Sequence, residues 1–379
     1  MGSQSRQRKA EKRRRRQRAT SPPAELSVRE VLYAAAGASA EAAGAGGGRY
    51  QELLARLAVL PGLEAEVGIA LDDAFRRALA LNWDDAAVRR QAERRLSTGH
   101  AAFIGRRHVV LRNVGALACA VELLRLLLSL PALPKLGGAP RAARSGVDAR
   151  MLEKVRALLA KAESTTFPEE AEALSAKAQE LMARHAIDAA MVGAGGATGE
   201  VPTGMRLPVD DPYASAKSIL LSEVAGANQC RAVWSKGLGF STVMGFESDL
   251  MFVEILYTSL LVQATSAMVA SGSQVDRSGR SRTRSFRQAF LLAYAVRIGD
   301  RLREAEAVSR ASAQEAYGEA LLPVLADRKA AVEAASAATF PGAVNRSVTV
   351  SNAAGWAAGR AAAELASLST RAEVPTGSG

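Results

Sequence analysis

Hydrophobic side chains recur every three to four residues over most of this chain, which is the spacing of one face of an α-helix. In residues 64–81 this periodicity predicts an amphipathic helix. Residues 114–130 are the most apolar of these stretches, but Glu122 and Arg125 interrupt them, so we expect a buried helix and no membrane span. The region 25–135 is therefore predicted to be an all-helical domain, with 114–130 as its central element.

The pattern changes after residue 212, where two short β-like runs stand between helices. Residues 229–234 and 241–246 have the composition of strands, and the intervening SKGLGF predicts a hairpin turn. Helices are predicted on either side, at 214–226 and 247–270. The order is therefore α-β-β-α, and residues 346–351 are a candidate third strand.

These patterns predict a mostly α-helical fold with a small α+β C-terminal unit. We expect a bundle-like N-terminal part, a central helical hairpin, and a two- or three-stranded antiparallel sheet packed on long helices. Asn352 is expected to begin the last helix, where Gly355 and Gly359 allow close packing. Composition and linkers divide the chain into a disordered basic tail (1–24), an N-terminal helical domain (25–135), a linker (136–146), the hairpin (147–192), a linker (193–212), the α+β domain (213–370) and a disordered tail (371–379).

The central hairpin is the most strongly patterned part of the chain. Its first helix starts near Met151, residues 164–167 form the turn, and Pro168 suits the first position of the second helix because that position needs no N–H donor. The glutamates that follow favour the positive end of a helix. We expect the second helix to end near His185, whose side chain would then cap the helix C-terminus.

These residues resemble the family catalogued as domain of unknown function 2786, and the resemblance covers about 148–192. It implies a helical hairpin and no particular activity. One departure is Phe167, where a polar capping residue usually precedes the proline. The residues that carry the resemblance are Leu158, Leu159, Pro168, Glu169, Glu170, Ala171, Ala178, Leu181, Met182, His185 and Ile187.

The region that follows, about 213–303, resembles the companion domain of unknown function 7168. This resemblance is carried by Cys230, Trp234, Gly245, Phe246, Tyr257, Phe286, Phe290, Ile298 and Leu302.

The positive charge of the chain is concentrated at its N-terminus. The formal net charge is +11, and residues 1–20 hold nine basic residues against one acidic residue. The remainder is close to neutral, so the total charge does not by itself predict a basic surface on the folded part. The tail has no apolar segment of a secretory signal, and we expect a cytoplasmic protein.

Several chemistries are not supported by the residue spacing. The two cysteines and three histidines match no metal-binding motif, and we expect neither a metal nor a cofactor. The glycines at 44–48 and 193–199 lie in linkers and lack the strand–helix context of a phosphate loop. Cys230 is expected to be a buried thiol, and the pairs Asp84–Asp85 and Asp210–Asp211 to cap helices.

Polyanion binding is the chemistry that the sequence favours. The loop 272–285 combines glycine and serine with closely spaced arginines, and the arginines of 297–303 follow it. Helical periodicity predicts that Phe286 and Phe290 belong to the core instead of stacking on bases. The candidate contact residues are Arg13, Arg14, Arg15, Arg16, Arg277, Arg280, Arg282, Arg284 and Arg287.

Three hypotheses about function stay open at this point. The first is a non-enzymatic nucleic-acid-associated binding or scaffold protein, for which a merely solvated tail is the competing interpretation. The second is a protein–protein interaction module that presents an apolar face of the hairpin. The third is an enzyme without a recognisable linear motif, for which a pocket with clustered polar groups near Cys230, Trp234 and Tyr257 would be evidence.

Overall fold

The chain divides into two units, Met1–Leu133 and Pro134–Gly379. The predicted fold class is confirmed, because both units are built mainly from helices and the second also holds a small antiparallel sheet. A computed structural model describes residues 26–42, 47–96, 103, 111, 113–137, 146–164, 168–194, 200–275, 279–344 and 352–366.

The first unit is a bundle of helices around one apolar element. That element is the predicted central helix, which packs against each of the other helices described in this unit and buries most of its leucines. The side chain of Trp83 is buried in this unit, and its indole Nε1 donates a hydrogen bond to the carbonyl of Pro131 at 2.8 Å. The helices are α1 (Val28–Ala42), α2 (Gly47–Ala58), α3 (Leu63–Ala80), α4 (Asp85–Arg95) and α5 (Val114–Ser129).

The described part of the second unit holds the hairpin, the sheet and five more helices. The hairpin is α6 (Gly146–Ser164) and α7 (Pro168–Ala194), and the sheet is β1 (Thr203–Pro208), β2 (Arg231–Ser235) and β3 (Phe240–Gly245). The other helices are α8 (Ala214–Ala227), α9 (Glu247–Ala270), α10 (Thr283–Tyr317), α11 (Leu321–Thr339) and α12 (Ala353–Glu364).

The sheet has the order β1-β3-β2, with both pairs antiparallel. The predicted hairpin of β2 and β3 is confirmed, and every residue of the central strand β3 is buried. Strand β1 corrects the assignment of 193–212 to a linker. Its sequence TGMRLP gives a weak strand signal because it contains glycine and proline, yet Pro208 is tolerated at the end of an edge strand. The other candidate strand, 346–351, lies outside the described residues.

Helix α7 is longer than expected, and this changes the position of His185. The helix begins at Pro168 as predicted but continues to Ala194, because alanines are frequent after His185 and the added turns bury Ile187 and Ala190. The prediction that His185 caps the helix C-terminus is therefore wrong. Its ring instead meets the ring of Phe252 edge-on, with centroids 5.6 Å apart.

Helix α9 is the element of the second unit that most resembles a membrane span in composition. Helix α9 is long and apolar enough to cross a membrane. The sequence pattern instead indicates the stretch that forms α5 as the most apolar one. A core helix meets the same criterion, and α9 packs against α6, α8 and α10. Its buried residues include Leu256 and Leu260.

Close packing of α10 and α12 depends on glycine, as predicted. A side chain on Gly355 would overlap the backbone carbonyl of Phe286, and one on Gly359 would overlap the carbonyl of Phe290. Asn352 begins α12 and caps it, since its side chain accepts a hydrogen bond from the N–H of Gly355 at 2.9 Å. The two helices therefore approach until their backbones touch.

Candidate functional site

The start of α10 is where the structure places the predicted basic loop. The chain folds back on itself here, because Val275 and Ser281 form an antiparallel bridge and the N–H of Arg282 donates to the carbonyl of Gln274 at 2.8 Å. Gly279 supplies the turn with a backbone φ of 78°, which other residues adopt only with strain. The loop thus delivers Arg282 to the N-cap position of a 35-residue helix.

An open groove of about 420 Å³ lies at this helix start, lined by Ser281, Arg282, Arg284, Ser285 and Gln288. We call it the α10 groove. Among the described residues no side chain caps this helix, which leaves its first N–H groups as candidate donors to an anion. The far side is fixed by two hydrogen bonds that reach other elements, from Gln288 to Ser215 at 2.9 Å and from Asn352 to Ser285 at 3.2 Å.

The arginines of the groove differ from Arg297, Arg303, Arg310 and Arg328 of the same unit, each of which pairs with a described carboxylate. Arg282 and Arg284 are exposed, and neither forms an ion pair within the described part of the chain. A guanidinium that is not neutralised internally can bind a phosphate without first giving up a carboxylate. The groove therefore combines two guanidinium groups with the N-terminus of a helix.

The arginines of 297–303 do not join this groove, which corrects the expectation that they contact phosphates. Arg297 holds Glu364 at 3.0 Å and lowers the pKa of that carboxyl below its usual range. Arg303 pairs with Glu223. Arg301 is buried and donates to backbone carbonyls at the end of α12, including that of Glu364 at 3.1 Å. These three side chains hold helices together.

The remaining residues that the sequence analysis considered for polyanion contact lie partly within and partly outside the described residues. Arg280 is exposed beside the groove, whereas Arg287 is half-buried and does not line it. Phe286 and Phe290 are buried in the core, as the periodicity predicted. Arg13, Arg14, Arg15, Arg16 and Arg277 lie outside the described residues.

A second site, which the sequence did not predict, is a narrow cleft in the second unit. It encloses about 50 Å³ and opens toward solvent through a wider groove. Helix α7 forms one wall with Gln179, Ala183, Ala186 and Ile187. We call it the polar cleft; the other walls come from Ala227, Asn228, Gln229, Asp249, Glu306, Ser309, Arg310, Leu325 and Arg328.

The charges of the polar cleft are paired. Asp249, only 2% exposed, accepts from Arg328 at 3.1 Å, and Glu306 lies 3.5 Å from Arg310. Burial raises the pKa of Asp249 to about 6, against the opposing effect of Arg328. Gln229 adds a hydrogen bond to Glu306 at 3.0 Å.

These residues come from separate helices and a turn, and no linear motif joins them. Cys230, next to Gln229, is a buried thiol as expected, and burial raises its pKa well above the usual range. The predicted capping by Asp84 is confirmed by its hydrogen bond from the N–H of Ala87. Neither Asp210 nor Asp211 occupies the N-cap position of α8, which belongs to Tyr213 and carries no side-chain cap bond.

The hairpin presents no apolar stripe for a partner in the part whose side chains are described. Its apolar residues, such as Val155, Leu159 and Met182, belong to the core of the second unit. Among the described side chains of the hairpin, Val192 is a large apolar residue that stays exposed. Among the described residues, no group of three His, Cys, Asp or Glu side chains is arranged to hold a metal ion.

Comparison with known families gives one match. A family model described as "Protein of unknown function (DUF2786)" matches residues 150–189, which confirms the resemblance of the hairpin. The matched segment includes Gln179 and Ala183 of the polar cleft. Neither the comparison with curated proteins nor that with solved structures gives a match.

Proposed function

We propose that this protein is a non-enzymatic nucleic-acid-associated binding protein that contacts backbone phosphates through the α10 groove. The observation that carries the proposal is the pair Arg282 and Arg284, which are exposed at the start of α10 without a carboxylate partner among the described residues. Phosphate contacts of this kind supply affinity that does not depend on base sequence.

The groove has the parts that phosphate binding requires. The α10 N-terminus offers N–H donors and the positive end of the helix dipole, and Arg282 and Arg284 add guanidinium donors. Phe286, the nearest aromatic side chain in sequence, is buried. Recognition through backbone phosphates, without stacking on bases, follows from this arrangement.

The basic tail is the second part of this proposal. Its arginines Arg13 to Arg16 are expected to add contacts along a polyanion, since clustered basic side chains release counterions from nucleic acid. We also infer that 213–303 is the companion domain of unknown function 7168. The α8-β2-β3-α9 order of that region supports this inference.

The test measures binding of a fluorescent 20-base-pair DNA duplex by anisotropy. The variants are Arg282→Gln/Arg284→Gln, a deletion of residues 1–20, and both changes together. The control, Arg76→Gln/Arg303→Gln, removes the same charge from arginines that are paired with Asp72, Asp73, Asp300 and Glu223.

The expected result is that the groove variant binds about tenfold more weakly or worse, while the control stays within about twofold. Deleting the tail should weaken binding further in both backgrounds. If the groove variant and the control bind equally well, the α10 groove is not the contact site. If the combined variant binds as the wild type does, the proposed function is wrong.

A further inference from the structure

The polar cleft contains a buried carboxamide whose oxygen atom has no hydrogen-bond partner among the described residues. Gln179 is only 3% exposed, and its Oε1 has no partner among the described residues. A buried amide in this state is unusual, because most buried polar side chains are bonded to protein or water. Rotation about the last side-chain torsion can turn either the oxygen or the nitrogen toward the cleft.

The charged groups of the cleft already satisfy one another. Asp249 is paired with Arg328 and Glu306 with Arg310, so the lining holds two acidic and two basic groups. An anion would be repelled by the carboxylates and a cation by the guanidinium groups. An ionic ligand therefore gains no net attraction, and Gln179 is a buried polar side chain of the lining that an uncharged ligand could newly satisfy.

The rest of the lining suits the apolar body of a small molecule. Ala183, Ala186, Ile187, Ala227 and Leu325 provide small and aliphatic surface beside Gln179. The enclosed 50 Å³ accommodates a few water molecules or a small polar head group, and the wider groove can take the remainder of a ligand.

From these observations we propose that the polar cleft is a binding site for a small uncharged amide, whose carboxamide pairs with that of Gln179. A carboxamide is the complement of another carboxamide, because each offers both an N–H donor and a carbonyl acceptor. The ligand displaces the water that would otherwise solvate Gln179. This site is independent of the α10 groove, and its residues include part of the matched segment 150–189.

The experiment uses the full chain and three probes of similar size, benzamide, benzoate and benzylamine. Dissociation constants are measured by saturation-transfer NMR. Benzamide should bind at least fivefold more tightly than either charged probe. Equal or tighter binding of benzoate or benzylamine, or an absence of saturable benzamide binding, overturns the proposal.

Variants then assign the binding to the cleft. Gln179→Met keeps the shape of the side chain and removes the amide, so benzamide should bind about five- to tenfold more weakly. Ala183→Leu fills the cleft from a half-buried position and should abolish binding. Lys177→Met, at an exposed position on the same helix, is the matched control and should bind as the wild type does.

Circular dichroism establishes that each variant folds. An unchanged benzamide affinity in folded Gln179→Met overturns the proposal. If Gln179→Met does not fold, benzamide binding by Ala183→Leu is the test. Loss of that binding supports the proposed site, and retained binding overturns the proposal.

Discussion

The carboxylate of Asp249 and the guanidinium of Arg328 form an ion pair at 3.1 Å inside the second unit, joining the first turn of α9 to α11. Arg328 also lies over the ring of Phe246, 3.6 Å from its centroid, and its second nitrogen is 3.7 Å from Glu200. Because Asp249 is buried, this pair couples the docking of α11 to the charge of one carboxyl group.

The pKa of Asp249, raised by burial to about 6, makes the free energy of unfolding depend on pH. In the unfolded chain an aspartate titrates near pH 4, so between about pH 4 and 6 the folded state holds more protons than the unfolded state. The contribution of Asp249 to the free energy of unfolding is fully present below pH 4. It is lost as pH rises through 6, and the total loss is about 3 kcal/mol.

Urea unfolding of the wild type and of Asp249→Asn across pH 4.5 to 7.5 measures this effect. The wild type should lose stability relative to Asp249→Asn as pH rises, since asparagine does not titrate. A difference between the two proteins that stays constant over this range would show that Asp249 has an ordinary pKa.

Removing the partner should be costly at neutral pH. Arg328→Met keeps aliphatic volume over Phe246 but leaves the Asp249 carboxylate uncompensated, so the free energy of unfolding should fall by about 3–5 kcal/mol at pH 7.5. The loss should be smaller at pH 5, where the carboxyl is protonated. Arg310→Met breaks a more solvent-exposed pair, with Glu306, and should cost at most about 1 kcal/mol. Similar losses for both variants would mean that burial of Asp249 is unimportant.

The salt dependence of DNA binding gives a prediction distinct from affinity. Each phosphate contact to a duplex changes the slope of log K against log salt by about 0.9, so Arg282→Gln/Arg284→Gln should reduce its magnitude by about two. Anisotropy titrations between 50 and 200 mM salt measure the slope. An unchanged slope with weaker binding would indicate a structural effect of the substitutions.

The contact of α12 with α10 predicts a large effect from one methyl group. Gly359→Ala places Cβ against the backbone carbonyl of Phe290, which cannot rotate away, and should lower the free energy of unfolding by about 1–3 kcal/mol or more. Gly226→Ala, on α8 with open space at its Cβ, should raise it by about 0.5–1 kcal/mol. Thermal unfolding measures the stability of both variants. If Gly359→Ala and Gly226→Ala changed the free energy of unfolding equally, the close approach of α10 and α12 would be refuted.

Periodicity predicted the helices and the β2–β3 hairpin because those signals are local. Strand β1 was missed because its pairing with β3 is a tertiary effect that overrides a sequence with glycine and proline. The end of α7 was misplaced because His185 lies in mid-helix beside Phe252, a contact that spacing does not reveal.

In the candidate sites, too, local sequence signals predict some residues, and others are identified only from tertiary contacts. Arg282 and Arg284 could be chosen from composition, but only the structure separates them from Arg297 and Arg303, which are paired with carboxylates. The polar cleft could not be predicted, since Gln179 and its neighbours gain meaning only from their three-dimensional arrangement.

Helix α10 contributes residues to both proposed sites. Its first turn lines the α10 groove, and Glu306, Ser309 and Arg310 of the same helix line the polar cleft. At 1.5 Å per residue, these positions are about 35 Å apart along the helix axis. A small amide in the cleft therefore cannot touch a phosphate in the groove, and both sites can be occupied simultaneously on one molecule.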